Sequence, residues 1–115
     1  MKPYDYAELN ASQETDLLQR VRDTVDSVFP GAQIILYGSR ARGDAESASD
    51  WDFLILVDYV VNRGLVREIR DSLYELELET DSVLSCIVRN TEEWYSGRYS
   101  ILPFKEIVER EGLVL

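Results

Sequence analysis

Apolar residues recur at Leu17, Leu18, Val21, Val25, Val28 and Phe29. That three-and-four spacing is one face of an amphipathic helix, predicted over about 12–29. Asn10 with Gln13 can form a capping pair at its start, and Pro30-Gly31 ends it. Ile34 to Tyr37 is a short apolar run bounded by turn residues, which reads as a buried strand. Residues 38–49 are small and polar. Trp51 to Val57 reads as a second strand, nearly all apolar after its leading acids. Asn62 then caps a second helix with Leu65, Val66, Ile69, Leu73 and Leu76 on one face.

Ser82 to Val88 reads as a third strand. From Thr91 the chain carries Trp94, Tyr95 and Tyr99, then a short helix from Pro103 to Arg110 closed by Gly112. Residues 1–11 show no period and read as an N-terminal arm. No Pro/Ser/Gly linker divides the 115 residues, so one domain over 1–115 is expected. The order α-β-loop-β-α-β-α implies an α/β (α+β) fold, a small sheet covered by helices. The second and third strands can pair in either sense.

Composition narrows the chemistry. Hydrophobic residues make up 45% of the chain, enough for a folded core, while no apolar run approaches the ~18 residues of a membrane span. The start lacks the apolar stretch of a secretory signal, and the single cysteine, Cys86, suits a reducing cytoplasm. With no histidine, a Ser-His triad, a Cys-His pair and a His-ligated zinc are excluded. A net charge of −10 argues against a nucleic-acid groove and leaves small molecules and proteins as partners.

The informative stretch is Gly38-Ser39-Arg40-Ala41-Arg42-Gly43, followed by Ser49-Asp50-Trp51-Asp52. Residues two apart on a strand share a face, with Cα atoms roughly 6.6 Å apart. Two carboxylates so placed repel by about 4 kcal/mol at ~4 Å with an effective dielectric of ~20. Asp52 also leads into five apolar residues, so its charge faces a desolvation penalty. A divalent cation between Asp50 and Asp52 answers both costs, and oxygen-only ligands suit magnesium or manganese. Metal held this way serves displacement at phosphorus.

At the glycine end, a strand runs into a turn that can open a short helix, presenting backbone N–H groups to an anion. Gly38 permits close approach of a phosphate and Ser39 adds a hydroxyl. Arg40 and Arg42 can add charge-assisted contacts, with room for one of them to face away.

This arrangement of Gly38-Ser39-Arg40-Ala41-Arg42-Gly43 and Ser49-Asp50-x-Asp52 resembles the signature of the DNA polymerase β-like nucleotidyltransferase superfamily. Within it, the chain is most similar to the short group called minimal nucleotidyltransferases. The strong resemblance covers residues 34–58. Glu92-Glu93-Trp94 and Glu111-Gly112 also look like bacterial members. The resemblance implies a mixed sheet flanked by helices, with Gly38 and Ser39 binding the triphosphate of ATP or another NTP and Asp50 and Asp52 holding metal. The family reaction is attack of a substrate hydroxyl on the α-phosphorus, with pyrophosphate leaving. Many minimal members pair with a HEPN-domain protein as antitoxin to toxin, by complex formation or by adenylylating it.

Family members usually carry a third carboxylate on the strand beside Asp-x-Asp. Asp81 and Ser85 share a face of the third strand but lie about 13 Å apart along it, so only one can sit opposite Asp52. Asp81 there completes a catalytic triad of acids; Ser85 there leaves it incomplete. Three functions follow: an enzyme moving AMP, or another NMP, to a protein or small acceptor; a catalytically inactive protein that neutralises a partner by binding; and an aminoglycoside-type transferase, for which a homodimer could supply the acceptor wall. Cys86 reads as a small buried hydrophobe, Trp94, Tyr95 and Tyr99 as packing against the sheet, and Arg63, Arg67 and Arg70 as a solvated helix face.

Overall fold

The computed structural model describes residues 1–6, 12–46 and 48–115. The proposed Asn10–Gln13 cap lies outside the described residues. The elements run β1 (Lys2–Pro3), α1 (Ser12–Val28), β2 (Gln33–Tyr37), α2 (Ser39–Arg42), β3 (Trp51–Val57), α3 (Arg63–Thr80), β4 (Leu84–Asn90), α4 (Thr91–Tyr95), α5 (Pro103–Glu111) and β5 (Leu113–Val114). The five strands form one mixed sheet in the order β1-β5-β2-β3-β4. β2 and β3 are antiparallel neighbours, as a short connection allows, while β3 and β4 are parallel because α3 carries the chain back between them. The pairing sense that the sequence left open is therefore parallel.

The strand alternation divides the core in two. Ile34, Leu36, Phe53, Ile55, Val57 and Val88 lie in one apolar cluster with Leu17, Leu18, Val21 and Val25 of α1 and Ile69, Leu73 and Leu76 of α3. Ile35, Leu54 and Leu56 point the other way, into a smaller cluster with Trp94 of α4 and Val108 of α5. Among the described residues the buried set is wholly apolar. Asn62 caps α3 as expected, its side-chain oxygen accepting the Gly64 and Leu65 N–H groups at 2.7 and 3.3 Å. No helix among the described residues is long and apolar enough to cross a membrane.

Three expectations shift. The third strand begins at Leu84 rather than Ser82, because α3 continues to Thr80 and Asp81 then turns the chain with φ 55. Asp tolerates this left-handed conformation better than most side chains, though glycine is the usual choice. The start of the expected arm is not loose: Lys2–Pro3 pairs in parallel with Leu113–Val114, and the N-terminal amine donates to the Glu109 carbonyl at 2.6 Å. Two-residue strands carry no readable period, and their stability comes from the partner. A further helix, α4, follows Asn90, whose side chain accepts the Glu93 N–H at 3.0 Å.

Candidate active site

β2 ends at Tyr37 and α2 begins at Ser39, so the whole change of direction falls on Gly38. Gly38 has φ 81 and ψ −161, a conformation that a side chain would strain. Space imposes the same choice: a Cβ on Gly38 would stand 2.5 Å from Oδ2 of Asp52. The glycine turn and the Asp52 carboxylate are thus in direct contact. The Gly38 carbonyl accepts the Ala41 and Arg42 N–H groups, both at 3.0 Å, which closes α2 into a single turn. The Ser39 amide precedes those first intrahelical donors and is left outside the ladder.

Asp50 immediately precedes β3 and Asp52 is its second residue, on the face shared with Tyr37 and Leu54. Leu54 and Leu56 beyond it are buried, whereas Asp52 and its cross-strand partner Tyr37 are half-buried. The carboxylate therefore stands where the sheet passes from water into the core. Burial raises the Asp52 pKa above its ordinary value, the Asp50 charge raises it further, and Arg42 opposes them. The Tyr37 hydroxyl is pushed up to about 12, by burial first and then by the charges of Asp52 and Cys86, with Arg89 opposing. In both, burial is the larger cause and a neighbouring negative charge adds to it.

Two adjacent carboxylates, one of them half-buried, are the donors a hard cation takes. Asp50 and Asp52 present hard oxygen donors, close enough for one charge to perturb the other. Among the described residues no three potential metal-ligating side chains cluster. Two carboxylates, with substrate phosphate and water completing the shell, is the usual arrangement for magnesium. The donor set fits.

The remaining expected residues separate. Arg42 stays at the site, where its Nη1 lies 3.2 and 3.3 Å from the two carboxylate oxygens of Glu111 and its Nε donates to Asp44 at 3.1 Å. Arg40 faces away: its guanidinium stacks over Trp51, 4.5 Å from the ring centroid, and donates to the Ser49 carbonyl at 3.0 and 3.3 Å. It lies 3.8 Å from Glu14 as well. Arg40 therefore ties down the loop leading to Asp50, on the Trp51 face of β3.

Asp81 is not brought to the pair either. The parallel register puts Ser85 opposite Asp52, and Leu84 opposite Trp51. Asp81, at the C-terminal cap of α3, lines a groove with Arg40 and Trp51, across the strand from Asp52. Of the two alternatives for the position opposite Asp52, the structure gives Ser85, so Asp81 does not join Asp50 and Asp52 as a catalytic acid, because the parallel register fixes that pairing. Sequence reasoning missed the roles of Tyr37 and Glu111. The Gly38 amide donates to Oε1 of Glu111 at 2.9 Å across 73 residues of chain, and no local pattern signals such a contact.

A family model described as nucleotidyltransferase domain matches residues 18–113. The chain belongs to the nucleotidyltransferase family. The family expected from Gly38-Ser39 and Asp50-x-Asp52 is thus the one that the match supplies, and it makes the chain a nucleotidyltransferase. Two solved structures share the fold. One is a toxin–antitoxin crystal structure with AMP-PNP, 18% identical with a TM-score of 0.60, the alignment covering 84% of this chain and 69% of the other. The second is a mutant form of the toxin–antitoxin pair MntA–HpeT, 21% identical with a TM-score of 0.55, covering 94% of this chain and 72% of the other. No curated protein sequence matches the chain significantly. At these identities the two structures speak for the nucleotidyltransferase fold alone.

Proposed function

We propose that this nucleotidyltransferase moves a nucleoside monophosphate, AMP from ATP, onto a hydroxyl of a protein partner, and that it is the antitoxin of a toxin–antitoxin pair with a HEPN-type toxin. The observation that carries the reading is the contact between Gly38 and Asp52. It puts a backbone turn suited to phosphate directly against a carboxylate whose pKa is raised by burial and by the neighbouring Asp50 charge. The toxin–antitoxin setting, the adenine nucleotide and the protein partner are drawn from the neighbours, one a complex with AMP-PNP and one an MntA–HpeT pair.

Asp50 and Asp52 would hold magnesium, which supplies charge neutralisation at the phosphates. Gly38, Ser39 and Arg42 orient the triphosphate. The acceptor oxygen forms a bond to the α-phosphorus as the bond to the β-phosphate bridging oxygen breaks. Pyrophosphate leaves, and the hydroxyl proton is lost to solvent. The test is magnesium-dependent transfer of label from α-labelled ATP to the partner. Asp52→Asn should lower the rate at least about 100-fold, as loss of a group acting on transition-state charge does. Full activity in that variant excludes the mechanism.

A second reading has a specific observation behind it: Ser85, not an acid, faces Asp52. In that reading the chain neutralises its partner by covering it, without turnover. Asp52→Asn then leaves neutralisation intact while wild-type protein transfers no label.

A further inference from the structure

Glu111 closes α5, and its side chain is 10% exposed. One oxygen accepts the Gly38 N–H at 2.9 Å, and both lie within 3.3 Å of Nη1 of Arg42. A single carboxylate thus holds both ends of the segment from Gly38 to Arg42, by backbone at the first residue and by guanidinium at the last. The packing around it is equally specific. β5 pairs antiparallel with β2 through Leu36↔Leu113 and Ile35↔Val114, and the Glu111 side chain reaches on to Gly38, beyond the last strand pair. Gly112 lets the chain pass this close, since a Cβ there would meet the Val108 carbonyl at 2.5 Å and Cγ2 of Ile35 at 2.8 Å.

We propose that Glu111 is a positioning residue for nucleotide binding, fixing the Gly38 turn and Arg42 in place before the triphosphate arrives. The proposal rests on the nucleotide reading of the site given above. Gly38 has the widest conformational freedom of any residue type in this segment, so its orientation must be imposed from outside. A charge-assisted bond from a nearly buried carboxylate imposes it. Arg42 is shared between Glu111 and Asp44, which fixes the guanidinium from two sides. Preorganisation of this kind lowers the ordering cost that binding must meet.

The test compares wild type, Glu111→Ala and Glu111→Gln by affinity for a non-hydrolysable ATP analogue with magnesium, and by hydrogen exchange at the Gly38 amide in unliganded protein. Glu111→Ala should weaken nucleotide binding about tenfold and speed Gly38 exchange about tenfold or more, with the fold retained by thermal melting. Glu111→Gln keeps an oxygen for the Gly38 amide but not the charge on Arg42. It should restore exchange to near the wild-type rate and recover affinity to within about threefold. A Glu111→Leu variant, which fills the same space without an acceptor for the Gly38 amide, separates positioning from mere packing: it should behave as Glu111→Ala in both readouts. Unchanged Gly38 exchange in Glu111→Ala overturns the proposal. So does nucleotide binding as tight as wild type or tighter, because Glu111 would then block the turn rather than brace it. Wild-type protein that binds no nucleotide defeats the functional reading and this role with it. Gly38 exchange still reports in that case whether the brace exists, so the two failures are told apart.

Discussion

The layer between the sheet and helices α1 and α3 and the wedge between Gly38 and β3 are built on opposite terms. In the first, Leu18, Val21, Phe53, Ile55 and Ile69 are fully buried with nothing polar among them. Its stability is the removal of apolar surface from water, which has no direction and performs no chemistry. In the wedge, a left-handed glycine, two like charges and a half-buried tyrosine are held together, each at some cost. Residue by residue along β3 the two regions share one strand: Phe53 faces the layer and Asp52 the wedge. The apolar layer fixes the strand so firmly that its polar edge can hold a repulsive arrangement, which in the proposed function a cation and triphosphate would relieve.

If that division is right, damage to the layer should unfold the chain and damage to the wedge should not. Phe53→Ala is expected to cost about 3–5 kcal/mol in denaturant unfolding, since the cavity lies between sheet and helices with nothing to collapse into it. Gly38→Ala should cost less, about 1–3 kcal/mol for the left-handed conformation, and yet lose nucleotide binding as the new Cβ displaces Asp52. A Gly38→Ala protein that binds magnesium-nucleotide normally would break the contrast.

Arg40→Ala sharpens it. Removing a guanidinium that stacks on Trp51 and donates to the Ser49 carbonyl should cost about 1–2 kcal/mol. Any loss of nucleotide affinity should recover at higher magnesium, because the loop to Asp50 is loosened rather than the phosphate contact. A deficit that persists at saturating magnesium would return Arg40 to the phosphate.

The smallest effect is the most diagnostic. The Asp52 pKa is raised in the folded state, so the native protein holds that proton more tightly than the unfolded chain. Its contribution to stability is present at low pH and is lost as pH rises above the ordinary 3.8 and through the higher folded value. Asp52→Asn should therefore raise the melting temperature by a few degrees at neutral pH without metal. Magnesium should stabilise wild type and not the variant. A lower melting temperature for Asp52→Asn would mean that the carboxylate is satisfied within the protein.

Much of this molecule was legible along the chain. The periods of α1 and α3, the Asn62 cap, the apolar run of β3 and the Gly38-Ser39 and Asp50-x-Asp52 pattern are local, and local patterns follow from side-chain spacing. The place of Asp81 was not legible. It turns on where α3 stops, and the helix runs to Thr80 through residues whose polar pattern gives no earlier stop. The roles of Arg40 and Arg42 could not be told apart either, because which one reaches Trp51 depends on the path of the loop between two strands.

The residues alone set a turn at Gly38 and two acids, Asp50 and Asp52, where a strand begins. Those properties need only neighbours in sequence and the two-residue repeat of extended backbone. Only the tertiary structure decided that Ser85 rather than Asp81 faces Asp52, and that Glu111 reaches back to Gly38. A register and a contact across 73 residues are set by how helices and strands pack, and packing is a property of the whole chain at once.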